Sequence, residues 1–233
     1  MEDYRELFDE IISLAWRNFI RKFRRGEIMA SEKSLSEAMF QFCFANEIQS
    51  TGREYVGLGK AFEVNLETKW SNPKAGTALP KFIDITCHIV DEGEEKYACA
   101  IELKFKRKRD AKGTFGKDRM FKFYKDIEYL EQEISLTEKD KFKPSYSEGR
   151  FYCITDNDRY VNDICHDDKD KNNIKFGLKN HAYTTSEKIY VKSEGNVELE
   201  KSYFVQWEPH NIPRNGNMQD WYFLEIKIPQ KSE

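Results

Sequence analysis

The sequence predicts a mixed α/β fold, a central sheet flanked by helices, and three observations carry that expectation. Apolar residues recur at helical spacing before residue 50, the period drops to two from about residue 62, and helical spacing returns after residue 114.

Residues 3–23 carry Leu7, Ile11, Leu14, Phe19 and Phe23 at near-helical spacing. Arg21, Lys22, Arg24, Arg25 and then Gly26 supply the cations and the glycine that favour a helix C-terminus. Ser34-Leu35-Ser36-Glu37 has the S-x-x-E capping-box form, so a second helix is expected to begin at Ser34 and lead into Met39, Phe40, Phe44 and Ile48. A glycine-rich loop is expected over 52–60. Strands follow at 62–70, 81–90 and 96–106, the last two joined by a polar turn centred on Gly93, as a β-meander. Phe115, Met120, Phe123, Ile127, Leu130 and Ile134 predict a helix from Thr114 to about Leu136, and 150–155 reads as another strand. Residues 156–180 are polar and read as loop or marginal helix. The tail supplies strands at 188–192, 202–207 and 221–228, with a loop at Pro209–Gln219. One domain is expected over 1–233, with an α-β-β-β-α-β core over about 34–156, the N-terminal helix 3–23 and a C-terminal β extension over about 180–229.

A hydrophobic share of 39% with 17 Phe and 12 Tyr is enough apolar area to argue against disorder. No apolar run approaches the roughly 20 residues that cross a bilayer, and the opening MEDYRELFDE lacks an apolar signal core, so neither membrane nor secretory targeting is expected. Five cysteines without a CxxC pair point to a reducing cytoplasm and against a zinc ribbon. A formal net charge of -3 does not advertise a nucleic-acid binder, which leaves the local distribution of charge to decide.

The chemistry lies in the hairpin 81–106. Ile83, Ile85, Cys87 and Ile89 form one apolar face of the first strand, and Tyr97, Cys99, Ile101, Leu103 and Phe105 that of the second. The opposite faces carry Asp84 and His88, and Ala98, Ala100, Glu102, Lys104 and Lys106. Opposed residues in an antiparallel pair share a face, and a turn centred on Gly93 sets Cys87 against Cys99 and Asp84 against Glu102. Opposed residues have Cβ atoms about 5 Å apart, and two like charges facing one another there repel unless something compensates. A divalent cation is the economical answer, because hard oxygen ligands suit Mg²⁺, which is held by one or two carboxylates plus a substrate phosphate. Lys104 on the same face could orient an attacking water, and phosphodiester hydrolysis needs these parts.

Asp84 followed by Glu102-Leu103-Lys104 on adjacent strands flanked by helices resembles the PD-(D/E)XK, or restriction-endonuclease-like, nuclease superfamily over roughly residues 34–156. The resemblance implies Mg²⁺ (or Mn²⁺) bound by Asp84 and Glu102, an assisting Lys104, DNA as substrate, and a setting in restriction, other defence or repair. The departure is Ile83 before Asp84, the nearest proline being Pro80. The resemblance also suggests a further acid on the preceding helix, which Glu37 would supply, and a supporting helix motif where Lys125, Asp126 and Tyr129 stand. Glu37 is equally the third-position partner of Ser34 in the capping box, and the two roles are compatible.

Three other Glu-x-Lys triplets, at Glu67, Glu94 and Glu225, are read as decoys. The competing reading of Glu102 and Lys104 is a solvent-facing stripe, against which the small Ala98 and Ala100 argue. Lys106, Arg107, Lys108, Arg109 and Lys112, continued by Lys117 and Lys122, are candidate phosphate contacts, or else a solvated basic run. His88 reads as a structural hydrogen bonder and Cys165-His166-Asp167-Asp168 as too few ligands for a metal. A symmetric homodimer is expected if both strands of a duplex are cut. The rival readings are a non-catalytic module of the same fold that binds nucleic acid or protein, and a nuclease acting on RNA.

Overall fold

The computed structural model describes residues 4–57, 59–70, 81–109, 116–135, 146–168, 174–214 and 216–229. The expected starts of the third long helix (Thr114, Phe115), as well as Pro80 and Lys112, lie outside them. The protein is mixed α/β, with four α-helices and a six-stranded mixed sheet among the described residues. The chain divides into two compact units, the first of Met1–Leu103, Glu133–Gly149 and Pro229–Glu233, the second of Lys104–Gln132 and Arg150–Ile228.

In the first unit, α1 (Tyr4–Arg25) ends in a Schellman closure, Gly26 N–H donating to Phe23 O and Glu27 N–H to Lys22 O. Its buried stripe is Phe8, Ile11, Ile12, Ala15, Trp16, Phe19, Ile20 and Phe23. Leu7 and Leu14 lie at the margin of that stripe rather than in it. Helix α2 (Glu37–Tyr55) packs on α1 through Trp16, Phe19, Phe40 and Phe44, whose rings stand 5.2–6.1 Å apart.

The expected capping box is corrected here. Ser36, not Ser34, is the N-cap of α2 and accepts from Met39 N–H at 3.2 Å. Ser34 closes a short 3-10 turn, Glu32–Ser34, in a reciprocal box with Ser31. Two overlapping serine caps compete for one helix start, and Glu37 becomes the first helical residue, without the third-position capping role.

Strands β1 (Lys60–Trp70), β2 (Lys81–Asp91) and β3 (Glu94–Lys106) form the expected antiparallel meander. Gly52 of α2 lets the helix close on β1, since a Cβ there would meet the Phe62 ring at 2.3 Å. The turn between β2 and β3 is the two-residue pair Glu92-Gly93, both at positive φ (53° and 78°), which is a geometry that glycine tolerates best at its second position. That turn alone pairs Asp91 with Glu94 and Val90 with Glu95, one residue out of the expected register. A bulge between Ile89 and Val90 restores it, so Ile89↔Tyr97, Cys87↔Cys99 and Ile85↔Ile101 face each other. Both cysteines of the facing pair are buried and outside any disulfide.

In the second unit, α3 (Lys117–Ser135) buries Met120, Phe123, Tyr124, Ile127 and Leu130. Strand β4 (Glu148–Thr155) is followed by α4 (Arg159–Asn162), and Phe123 stacks on Tyr160 at 5.3 Å and meets Phe151 at 5.8 Å. Short strands follow: β5 (Cys165–His166) with β6 (Lys175–Phe176), β7 (Ala182–Tyr183) with β10 (Phe204–Val205), and β8 (Ile189–Val191) with β9 (Gly195–Val197).

Strands β11 (Trp207–Arg214) and β12 (Asn217–Pro229) form a long hairpin in place of the expected loop Pro209–Gln219. Proline at 209 and 213 disguised β11. Both fall at the same parity on the last strand in the sheet order β1-β2-β3-β4-β12-β11, and an edge strand tolerates proline where the missing N–H would face outward.

Glu131 of α3 is buried beneath this tail and accepts from Glu200 N–H, Lys201 N–H and Tyr203 Oη. Burial nevertheless holds its carboxyl above the ordinary value of 4.5. A group with a raised folded pKa contributes stability below its unfolded pKa and loses it as pH rises through the folded value. Because Glu131→Gln cannot ionise, its stability relative to wild type should improve as pH rises from about 4.5 towards 7. Thermal melts followed by circular dichroism check this, and a shift in favour of wild type over that window would refute it.

Candidate functional site

Within the first unit, the carboxylate of Asp84 is held at the Glu102 position of β3. Its Oδ2 accepts from Leu103 N–H at 2.7 Å, the amide that follows Glu102. The ladder of facing pairs runs to Ile85↔Ile101, one step short of Asp84 and Glu102. A side chain from one strand has thus replaced the next backbone rung. Glu102 is 4% exposed, and Ala98 and Ala100 beside it on that face are buried. The solvent-stripe reading therefore fails: β3 is covered on both faces along Tyr97–Leu103, as a strand inside a sheet would be.

Asp84 is also held from the helix side. Gln41 of α2 donates from Nε2 to the Asp84 carbonyl at 2.7 Å and to Glu67 Oε1 at 2.9 Å. Glu37 stands one helical turn before Gln41 and so shares its face, towards β2. Neither Gln41 nor Glu67 was singled out from sequence. Glu67 belongs to a discarded Glu-x-Lys triplet, and a glutamine on a helix carries no chemical signal by itself.

In the second unit, the Lys104 ammonium pairs with Asp126 Oδ2 at 2.9 Å, with side chains only 14% and 12% exposed. The structure thus brings Lys104 and Asp126, expected as reactive and supporting residues, into direct contact. Lys125 turns instead to Glu128 at 2.7 Å and lies over the rings of Phe121 and Tyr129 at 5.9 and 5.8 Å.

The basic run is largely engaged within the protein. Lys117 pairs with Asp168, Lys122 with Glu194 at 3.4 Å, and Lys108 lies 3.9 Å from Asp158. Arg107 is buried, Lys106 half-buried and Arg109 exposed. Lys108 lines a cleft of about 360 Å³ with Asp156, Asp158, Gln219, Asp220 and Tyr222. Three carboxylates against one ammonium make that lining net acidic, which disfavours a phosphate there.

His88 accepts or donates at Glu95 at 2.6 Å, in keeping with its structural reading. In the segment 165–168, burial pushes the Cys165 thiol up to about 11, Asp167 accepts from Ile174 N–H, and the Lys117 hydrogen bond lowers the Asp168 carboxyl. These groups serve the local structure.

Among the described residues, no group of three or more His, Cys, Asp or Glu is arranged to hold a metal ion. Asp84 and Glu102 are a pair, and a pair of hard oxygen donors suits Mg²⁺ when phosphate and water complete the shell. No helix among the described residues is long and apolar enough to cross a membrane.

Fold and site together define a mixed α/β protein whose sheet carries a half-buried Asp84 and a buried Glu102 on neighbouring strands. No family model, curated protein or solved structure matches the chain.

Proposed function

We propose that the protein is a metal-dependent nuclease that hydrolyses DNA phosphodiester bonds, with Asp84 and Glu102 as metal ligands and Lys104 as the assisting cation. One observation carries the reading: the Asp84 carboxylate is fixed by Leu103 N–H at 2.7 Å, beside a Glu102 that is almost wholly buried. Two carboxylates brought together on neighbouring strands suit a divalent cation, which takes hard oxygen ligands.

In this reading Asp84 and Glu102 would hold a Mg²⁺, which when bound would supply Lewis-acid activation of the phosphoryl group and of a water. Asp84 and Glu102 stand on neighbouring strands, so their spacing is set by the ladder that ends one step away and by the Asp84–Leu103 hydrogen bond rather than by a loop. Lys104, two residues beyond Glu102, projects to the same face of β3 by strand parity. Its ammonium, held by Asp126 at 2.9 Å, orients the attacking water and offsets the negative charge that grows on the phosphoryl and leaving oxygens as the bond to the leaving alcohol breaks. Glu37 is a further ligand, direct or through water. Among the basic residues, the exposed Arg109 and the half-buried Lys106 are the candidate phosphate contacts, whereas Arg107 is buried.

The superfamily assignment to PD-(D/E)XK nucleases rests on this triad and on the order α2-β1-β2-β3-α3-β4. Five cysteines outside any disulfide among the described residues fit a cytoplasmic setting. Incubating plasmid DNA, linear DNA and RNA with the protein in Mg²⁺, Mn²⁺ or EDTA tests the activity. Cleavage of RNA alone would move the substrate class, and no cleavage of any substrate with either metal would leave the non-catalytic module as the better reading. A single site cuts one strand, so a double-strand cutter dimerises or acts twice, and a symmetric homodimer is the reading proposed. Light scattering that shows a monomer with and without DNA would count against it.

A further inference from the structure

We infer that Gln41 and Glu67 are a positioning pair that fixes Asp84 for the proposed reaction, an inference that deepens the nuclease reading and rests on it for its consequence. Three observations converge on one point of the first unit. The β1–β2 ladder passes from Leu66↔Ile85 to Thr68↔Ile83, omitting the step that Glu67 and Asp84 would occupy. At that step Glu67 has φ 52°, the left-handed region, in the middle of a strand. A non-glycine residue held there costs about 1–3 kcal/mol, and such strain concentrates where function requires it. Gln41 then uses Nε2 twice, on the Asp84 carbonyl at 2.7 Å and on Glu67 Oε1 at 2.9 Å.

The consequence is mechanical. At this step a helix side chain, itself oriented by the Glu67 carboxylate, holds the Asp84 backbone. The Asp84 carboxylate accepts from Leu103 N–H, so both ends of the residue are pinned, and loosening the backbone end loosens the carboxylate contact with it. Residues that orient metal ligands in this way cost about 10–100-fold in metal affinity or activity when removed. Glu67 and Gln41 are positioning residues, since neither need touch the substrate.

Glu67→Gly separates positioning from stability. Glycine accepts φ 52° without strain, so the variant should melt at or above the wild-type temperature. It removes the acceptor that orients Gln41, so turnover should fall about 10–100-fold with KM for DNA little changed. Glu67→Gln keeps an acceptor oxygen and should recover most of the rate. Gln41→Ala should lose a comparable factor.

Gln49→Ala is the matched control, because Gln49 also ties α2 to the sheet, donating to Phe62 O at 2.8 Å, but away from Asp84. It should leave turnover near wild type. Hydrogen exchange at Leu103 N–H provides a readout without activity and should quicken in Gln41→Ala but not in Gln49→Ala. Unchanged exchange and turnover in Gln41→Ala, or equal losses in both glutamine variants, would overturn the inference. Absence of activity in the wild type would instead remove the nuclease reading, with the Leu103 exchange still deciding whether Gln41 positions Asp84.

Discussion

Asp84→Asn should lose about 10²–10³-fold or more in metal-dependent DNA cleavage while keeping a folded chain. The asparagine Oδ1 can still accept from Leu103 N–H, as Asp84 Oδ2 does at 2.7 Å, so the local geometry survives and only the charge is lost. Asp84→Ala is the harsher variant, because it also strands that amide, at a cost of about 1–3 kcal/mol. Lys104→Ala should be similarly inactive, and it leaves Asp126 without the ammonium at 2.9 Å, so Lys104→Gln is the cleaner partner. EDTA should abolish the wild-type activity. Wild-type rates in Asp84→Asn and Lys104→Gln would sink the assignment, since the first removes one of the two carboxylate ligands and the second the charge-offsetting ammonium.

Glu225→Ala should destabilise the second unit by about 3–5 kcal/mol without touching the proposed chemistry. Glu225 is another of the Glu-x-Lys triplets, and the structure gives it a different task. Its Oε1 accepts from Arg150 Nη1 and from Tyr152 Oη, both at 2.8 Å. The Arg150 side chain is 0% exposed, and burial with the nearby Glu225 charge holds the Tyr152 hydroxyl well above its usual range. Alanine at 225 leaves an enclosed guanidinium without this counter-charge. A fall in Tm on the order of 10 °C follows from that cost for a chain of this size. The paired change Arg150→Met with Glu225→Leu should recover much of the loss, since replacing both charges removes the desolvation penalty that breaking one exposes. A loss under about 1 kcal/mol for Glu225→Ala would show that solvent already screens the pair.

The hairpin was legible because alternation over residues 82–106 reports which side chains share a face, and that depends only on local strand geometry. Its register was not legible in the same way. A turn centred on Gly93 and a two-residue Glu92-Gly93 turn differ by one residue, which by itself would invert every side chain relative to the partner strand. The bulge at Ile89/Val90 cancels the difference. No local pattern announces that bulge, because it is settled by the packing of two faces against their neighbours. The α2 start was misplaced for a related reason: Ser31, Ser34 and Ser36 all offer hydroxyl caps, and only folded geometry chooses among them.

By itself the sequence determined the order of the principal elements, the two apolar faces of the hairpin and the candidate triad Asp84, Glu102 and Lys104, because periodicity and residue chemistry are local properties. Tertiary structure decided what surrounds them. It buried Glu102, gave Lys104 to Asp126, engaged Lys117 and Lys122 with distant acids, made an edge strand of the proline-bearing β11, and put Gln41 on the Asp84 carbonyl. Each of these is a contact between residues far apart in the chain. Such contacts form where packing satisfies buried polar groups, and no sequence window contains both partners.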